Sequence, residues 1–468
     1  MPSTRRETFA PVDAAWLRME DSTNLMMITG VLAFEQPLDF ARLQETVNRR
    51  LVSRFERFRK RAVNPPNGTP YWEDDPDFNL ASHVHQLALP EPGNQHVLQN
   101  LVSDMMSTPL DFNRPPWQFH LVQGYGQGCA LVIRLHHCIA DGIALVHVML
   151  SMTDASPDAP PAEPRAKDEQ IPASKGVLAR PSAVFEKIRS AGESMLREGQ
   201  EIAENPERLF KLAQGGSDGV ASLGKLLFMT PDPRTMLKGK LHVQKLAVWT
   251  EPMALDRIKA IGRVTGSTIN DVLLAAAAGT LRRYLIEHGM SVGRDLNVRA
   301  VVPVNLRPLD REPTMGNMFG VVFLALPVGL PNAYDRLVEL RERMNQIKHS
   351  PEAVVAFGIL TAIGSSPEQV QDMAVNMFGS KATAVMTNVP GPREPIYLAG
   401  ERIRSCMFWV PQSGRLGLGV SIFSYAGEVL VGFATDQGLI PDPQRLIDGY
   451  HEEIDELMQL VHVLEKET

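Results

Sequence analysis

The sequence predicts an α/β protein of two halves, each a mixed β-sheet with flanking helices, joined by a partly helical linker. Apolar runs typical of strands alternate with helical patterns before residue 150 and again after residue 240. Residues 151–182 are rich in Pro, Ala and charge, and residues 183–229 form an amphipathic helical pattern. We therefore place the N-terminal half at 1–150, the linker at 151–240 and the C-terminal half at 241–468.

The first half begins with a strand pattern, MITGVLAF, at residues 27–34. Asp39 can cap the helix that follows, because its carboxylate accepts the free amides of a first turn. Along that helix an apolar residue recurs at every fourth position, at Leu43, Val47, Leu51 and Phe55. Two later runs, 117–122 and 129–135, are joined by GYGQG and predict a hairpin whose turn uses the positive φ angles open to Gly124, Gly126 and Gly128.

The second half repeats the alternation of strands and helices. Residues 241–249 predict a strand, and residues 253–266 predict a helix that ends at Gly266 in a left-handed cap. Residues 267–289 predict a long buried helix, because small apolar residues occupy most of its faces. Further apolar runs predict strands at 298–304, 319–328, 383–389, 416–425 and 428–436.

Composition and charge exclude several classes of protein. The 47 basic and 54 acidic residues give a net charge of −7, whereas nucleic-acid binding favours a basic surface, so we expect no nucleic-acid partner. Three cysteines in 468 residues indicate a reducing compartment, and we expect a cytoplasmic protein. We see no secretory signal, and no apolar run reaches the roughly 18 residues of a membrane span. The protein is expected to be soluble or to lie on a membrane surface.

The segment RLHHCIADGIAL at 134–145 concentrates the candidate chemistry. Adjacent strand residues point to opposite faces, so only one of His136 and His137 can readily face an open site. Asp141 follows across a turn and can order the loop, and Gly142 leaves room for a backbone or a ligand to approach. Two other interpretations stay open: the pair, with Asp141, could bind a metal, or both could be core histidines. Cys138 is a further candidate nucleophile, although we interpret it as a residue without a chemical role.

This segment matches HHxxxDG, and the whole chain resembles the bacterial wax ester synthase/diacylglycerol acyltransferase family. That family lies within the superfamily of chloramphenicol acetyltransferase and peptide-synthetase condensation domains. The resemblance runs from about residue 10 to residue 450. It is carried, besides HHxxxDG, by APVDAAWLRME (10–20), PPW (115–117), STINDVLLAAAAGTLRRYL (267–285), VPVNLRP (302–308), GNMFG (316–320), TNVPGP (387–392) and SYAGEVLVGFATDQGLIPD (424–442). It implies two chloramphenicol-acetyltransferase-like halves.

The resemblance assigns His137 as the general base that deprotonates an acceptor hydroxyl, with His136 in support. An imidazole suits this role because its ordinary pKa lies close to neutral pH. Asp141 is expected to be structural, with Arg307 as its cation. The Asn-Asp pair of the family is Asn270, a candidate oxyanion donor, and Asp271, expected to bond between the halves.

The expected reaction moves a long acyl chain from acyl-CoA to a fatty alcohol or a diacylglycerol, forming wax ester or triacylglycerol. We expect no metal and no permanently bound cofactor, with acyl-CoA as co-substrate. We also expect an apolar tunnel that meets a CoA channel at His137. Two alternatives stay open: a related acyltransferase that uses a carrier-protein donor or a polyketide-type alcohol, and a non-catalytic lipid-binding protein.

The helix and tail at 42–61 carry eight basic residues, Arg42, Arg49, Arg50, Arg54, Arg57, Arg59, Lys60 and Arg61. A basic amphipathic stretch can contact anionic lipid, so the inner membrane or lipid inclusions are a candidate location. The same residues could attract the CoA phosphates, or they could form an ordinary solvated face. The sequence leaves these three interpretations open.

Overall fold

The computed structural model describes residues 6–158, 226 and 229–467, apart from 67, 307–314, 349, 351, 365–367 and 413. In this part of the chain, two mixed seven-stranded sheets and one three-stranded sheet pack with helices. The predicted α/β class is confirmed. The helical pattern of residues 183–229 lies almost entirely outside the described residues, so the predicted division into halves and linker stays a prediction.

The described strands and helices follow one another along the chain without overlap. The strands are β1 (Arg6–Thr8), β2 (Met27–Phe34), β3 (Lys60–Val63), β4 (Tyr71–Asp74), β5 (Val84–Ala88), β6 (Trp117–Tyr125), β7 (Gly128–His136), β8 (Thr153–Asp154), β9 (Lys245–Trp249), β10 (Met253–Ala254), β11 (Val298–Asn305), β12 (Phe319–Leu326), β13 (Ala384–Pro390), β14 (Tyr397–Leu398), β15 (Glu401–Trp409), β16 (Leu418–Tyr425) and β17 (Glu428–Asp436). The α-helices are α1 (Pro11–Arg18), α2 (Phe40–Thr46), α3 (Gln95–Met106), α4 (Gly142–Met152), α5 (Leu255–Thr265), α6 (Ile269–Glu287), α7 (Ala333–Lys348), α8 (Glu352–Gly364), α9 (Glu368–Ser380) and α10 (Gln444–Glu467).

The first sheet has the strand order β5-β6-β7-β2-β15-β14-β8. Its centre, β2 and β7, is buried along its whole length because helices or other strands cover both faces. The predicted β6–β7 hairpin is confirmed, and Gly124 and Gly126 have positive φ angles of 78° and 59°. Gly128 does not adopt a positive φ; it is needed because a Cβ there would meet the carbonyl oxygen of Phe34 at 2.1 Å.

The two halves share the first sheet. Strand β15 comes from the second half of the chain but pairs antiparallel with β2, and β14 joins β15 to β8. Apolar side chains from both halves meet in a buried cluster that includes Val31, Val132, Trp249 and Leu430. The sequence did not indicate this exchange, because β15 has an ordinary strand pattern that does not specify its partner.

The second sheet has the order β10-β17-β16-β13-β11-β12, with β9 also paired to β17. Helix α6 packs on it as the predicted long buried helix, and α10 covers α6. The predicted left-handed cap is confirmed at Gly266, which has a φ of 63°. The predicted strand at 241–249 begins only at Lys245, because the backbone N–H of His242 bonds to the Asp436 carboxylate instead of a neighbouring strand.

Local capping follows the sequence in the first half as well. The Asp39 carboxylate accepts the backbone N–H of Arg42 at 2.7 Å and so begins α2, as predicted. The apolar stripe of this helix continues through a π-helical segment at 47–52.

No helix in the described part of the chain is long and apolar enough to cross a bilayer.

Candidate active site

The HHxxxDG segment lies where the two halves meet. Strand β7 ends at His136, a loop follows, and α4 begins at Gly142. The Asp141 carboxylate caps α4 by accepting the Ala144 N–H at 3.0 Å, and its other oxygen accepts the Met318 N–H at 2.8 Å. Ala140 also forms a parallel β-bridge with Gly316. The loop of the first half is therefore fastened to the GNMFG turn of the second.

Asp141 thus orders the loop, as the sequence predicted. The carboxylate is 3% exposed, and the bonds described above come from backbone amides on both sides of the junction. Its predicted partner Arg307 lies outside the described residues.

His136 is fully buried and held at both ring nitrogens. Its Nδ1 accepts the backbone N–H of Cys138 at 3.1 Å, so Nε2 carries the proton and faces the Glu20 carboxylate at 3.3 Å. The ring also meets Phe112 edge-on, with centroids 5.1 Å apart. These contacts hold the loop in place and leave no ring nitrogen of His136 to a substrate.

His137 lies in a different, apolar environment. Its backbone N–H donates to Met26 O at 2.8 Å, and its ring stacks on Trp16 with centroids 4.2 Å apart. Phe319 of β12, in the second half, lies beside the ring, with centroids 5.8 Å apart. The prediction that one histidine faces an open site is wrong for the described structure, in which 4% of His137 is exposed, because Trp16 and Phe319 cover the ring.

Burial lowers the pKa of His137 to about 4. The charge of Asp141 and the side chain of Asn317 oppose this shift, and His136 adds to it. Desolvation penalises the imidazolium more than the neutral ring, so the imidazole is neutral at pH 7. A neutral ring is the protonation state that a general base requires.

A buried network behind His137 was not predicted from the sequence. Asp13 of α1 is fully buried, and its Oδ2 accepts Arg57 Nη1–H at 3.0 Å. Its Oδ1 accepts the backbone and side-chain N–H groups of Asn317 at 2.9 and 2.8 Å. Arg57 also donates to Ile139 O at 2.8 Å, and Asn317 donates to His137 O at 2.9 Å. Helix α1 is thereby fixed to both loops of the junction.

Signals for this network were present in the sequence without an assigned role. Asp13 and Trp16 lie in APVDAAWLRME, and Asn317 lies in GNMFG, both of which carried the family resemblance. Arg57 belongs to the basic stretch at 42–61. Five members of that stretch form ion pairs with carboxylates: Arg49, Arg50, Arg57, Lys60 and Arg61.

Gly142 has open space at its side-chain position. A Cβ built there meets no heavy atom within 4 Å, so the expected close approach of another backbone is absent from the described residues. The other expectation, that Gly142 leaves room for a ligand, stays a prediction.

The Asn-Asp pair lies at the N-terminus of α6. Asp271 forms a capping box with Thr268, accepting its backbone N–H at 2.9 Å and its hydroxyl at 2.7 Å. These bonds are local rather than between the halves, because Asp271 is the third residue of the helix, where a carboxylate reaches back to the cap. Asn270 Oδ1 accepts Asn388 Nδ2–H at 2.8 Å.

Two other chemistries were open from the sequence. Within the described residues, no group of three His, Cys, Asp or Glu side chains could hold a metal ion. Cys138 is fully buried, and burial raises the pKa of its thiol well above the usual range. A protonated, enclosed thiol is a poor nucleophile.

The fold resembles that of two solved structures along almost the whole chain. A wax ester synthase/diacylglycerol acyltransferase from Marinobacter aquaeolei VT8 matches with a TM-score of 0.67 and 22% identity, covering 97% of this chain and 100% of that one. The first condensation domain of the calcium-dependent antibiotic synthetase matches with a TM-score of 0.57 and 16% identity, covering 98% and 97%. These two likenesses place the chain in the fold class that condensation domains share with this wax ester synthase/diacylglycerol acyltransferase.

Sequence relatives narrow this class. The wax ester synthase/diacylglycerol acyltransferase catalytic domain matches residues 9–273, and the WS/DGAT C-terminal domain matches residues 315–458. Two proteins of Mycobacterium tuberculosis named "Probable diacyglycerol O-acyltransferase", tgs1 and tgs2, are 27% and 26% identical. They cover 96% and 97% of this chain, and the matches span 95% and 99% of their own lengths. The chain belongs to the wax ester synthase/diacylglycerol acyltransferase family and is an acyltransferase.

Proposed function

We propose that this protein transfers a long acyl chain from acyl-CoA to the hydroxyl of a fatty alcohol or a diacylglycerol, with His137 as general base. The observation that carries the proposal is the buried imidazole of His137, which lies in the loop that joins the two halves. Membership of the acyltransferase family supports the reaction class.

The proposed reaction needs no covalent enzyme intermediate. Nε2 of His137 takes the hydroxyl proton while the alcohol oxygen attacks the thioester carbonyl carbon. The tetrahedral oxyanion collapses, the C–S bond breaks, and the CoA thiolate leaves with the proton that the imidazolium returns. A thioester is already activated, so a neutral base and correct positioning suffice.

Apolar side chains around His137 support a lipid substrate. Val12, Trp16, Met26 and Phe319 form one buried cluster, and Phe357 of α8 packs against it. Trp16 and Phe319 both contact the imidazole directly. We propose that the acyl chain and the alcohol displace part of this cover to reach Nε2, forming the apolar tunnel that the sequence predicts.

Asn270 is the proposed donor to the oxyanion. Its Oδ1 is engaged by Asn388, which fixes the amide so that the Nδ2 group is the side left to donate. A single oxyanion donor contributes about 10²–10³ in kcat. Asn270→Ala is therefore expected to lower kcat in this range while the protein stays folded, and an unchanged kcat would remove Asn270 from the mechanism.

The test offers palmitoyl-CoA with hexadecanol and a diacylglycerol together, and the products are separated by chromatography. Wax ester, triacylglycerol or both, with one free CoA for each ester formed, supports the proposal. A parallel reaction with an acyl-carrier protein tests the donor. Absence of ester and of CoA release with both acceptors would favour a lipid-binding protein instead.

His137→Gln tests the assigned base. General-base catalysis contributes about 10²–10⁴ in rate, so a loss of that size is expected. His96→Gln is the matched control, since His96 is exposed and bonds only to the neighbouring Asn100 side chain among the described residues. An active His137→Gln protein would contradict the mechanism.

We further propose that the protein works at a lipid surface, where its apolar substrates collect. Arg42 and Arg59 of the basic stretch are exposed and have no described carboxylate partner, which supports contact with anionic headgroups. Flotation with vesicles of phosphatidylcholine, with and without phosphatidylglycerol, is the test. Binding that requires the anionic lipid, and that weakens in Arg42→Ala/Arg59→Ala, is expected. Equal recovery of the protein with both vesicle types would refute binding through anionic headgroups.

A further inference from the structure

His137 and Asn317 each have one buried polar atom without a partner among the described residues. These atoms are Nδ1 of the imidazole and Oδ1 of the amide. A buried polar atom that lacks a hydrogen bond destabilises the folded state, so such atoms are normally paired. Nδ1 of the imidazole can carry a proton and donate it, and the amide Oδ1 can only accept, so the two atoms are chemically complementary.

The hydrogen bonds of Asn317 fix which way its amide points. Nδ2 donates to Asp13 Oδ1 at 2.8 Å and to His137 O at 2.9 Å. A flipped amide would set its oxygen against a carboxylate and a carbonyl, and both of these are acceptors. The unpaired Oδ1 therefore belongs to an amide group that already contacts His137 through its nitrogen.

Asp13 is itself fixed as an acceptor. Three N–H groups, two from Asn317 and one from Arg57, point at its two oxygens. This arrangement suits an ionised carboxylate, with Arg57 as its counter-ion at 3.0 Å. Arg57, Asp13 and Asn317 thus form a chain of bonds that leads from α1 to the backbone of His137.

We propose that Asn317, held by Asp13, is a positioning residue that keeps the proton of the neutral His137 ring on Nδ1. Oδ1 of Asn317 accepts this proton in a hydrogen bond, and Nε2 then holds the lone pair. Nε2 is the nitrogen that the proposed reaction uses, so this inference rests on the proposed function. The side chain of Asn317 also opposes the fall in the pKa of His137, as an acceptor to the ring does.

The first test reads the tautomer without any substrate. Protein labelled with ¹⁵N-histidine is examined by NMR at pH 7, and the His137 signals are assigned by their loss in His137→Gln. The wild type is expected to show a protonated Nδ1 and an unprotonated Nε2. In Asn317→Ala the population with the proton on Nε2 is expected to rise, because Nδ1–H has lost its side-chain acceptor and only the backbone of His137 itself remains.

The second test compares rates. Asn317→Ala is expected to lower kcat about 10- to 100-fold, with KM for palmitoyl-CoA changed by less than about twofold, since a misdirected base affects the chemical step. Asn297→Ala is the matched control, since Asn297 lies in the same half and bonds to Arg343 and Asp295 O. It precedes the end of β11 that pairs with Leu326, whereas the junction lies at the other end, where Asn305 pairs with Phe319. Its kinetic constants and the His137 tautomer are expected to match wild type.

Asp13→Asn gives a second variant should Asn317→Ala fail to fold. Its amide sets an NH₂ group against an N–H of Arg57 or Asn317, which loosens Asn317 without removing it. A smaller shift of the tautomer in the same direction is expected. The inference is overturned if the wild-type proton lies on Nε2, or if folded variants keep the wild-type tautomer. Failure of the wild type to form ester would refute the proposed function alone, since the tautomer is read without turnover.

Discussion

Replacing Asp141 by Asn keeps the helix cap and removes an oxygen that accepts a hydrogen bond from the other half. Asn is as good a helix cap as Asp, so the bond to Ala144 N–H survives the change. The second oxygen becomes an NH₂ group that faces the Met318 N–H, at a site where the carboxylate oxygen accepts at 2.8 Å. Whichever way the amide turns, one buried backbone N–H loses its acceptor.

The expected loss includes the cost of that unpaired backbone N–H. An unsatisfied buried amide costs about 1–3 kcal/mol, so the free energy of unfolding of Asp141→Asn should fall by this amount. The kcat should fall as well, because Met318 is adjacent to Asn317 and the junction holds His137. Urea unfolding followed by circular dichroism, together with ester formation per folded molecule, measures both effects.

Asp39→Asn is the matched control for this substitution. Asp39 also caps a helix, through Arg42 N–H at 2.7 Å, and this bond lies at an exposed position away from the junction. Its free energy of unfolding should change by less than about 0.5 kcal/mol. If Asp141→Asn unfolds at the wild-type urea concentration with wild-type kcat, the bond to Met318 does not hold the junction and the reasoning fails.

Three further predictions concern pH and packing. The kcat/KM should be level from pH 8 to pH 6 and fall only as pH approaches about 4, because burial lowers the pKa of His137; a half-maximum near pH 6.5 would contradict this. Burial also lowers the pKa of His120 to about 4, so the folded state binds fewer protons than the unfolded state between the two pKa values, and stability is lost as pH falls from 6.5. Between pH 7 and 5, His120→Gln should therefore lose about 2 kcal/mol less stability than wild type; equal losses would refute the assignment. Gly279→Ala should lower the free energy of unfolding by about 3–5 kcal/mol, because a Cβ there meets the Glu453 carboxylate at 2.0 Å and would push it from its buried ion pair with Arg336. Gly449→Ala makes only ordinary contacts and should leave the free energy of unfolding unchanged or slightly raised; urea titration of both variants is the measurement.

Local features of the fold were predictable because they depend on neighbours in the sequence. The caps at Asp39 and Gly266 and the β6–β7 hairpin follow from residue types within a few positions of one another. The capping box of Asp271 belongs with them, although we expected that residue to bond between the halves.

The sequence by itself determined the α/β class, the family and the loop that carries His136, His137 and Asp141. Tertiary structure alone decided what surrounds that loop. Asp13 contacts Arg57 across 44 residues and Asn317 across 304 residues, and β15 enters the first sheet from the far half of the chain. Bonds over such distances depend on how two halves pack, and neither periodicity nor spacing within one segment records that packing.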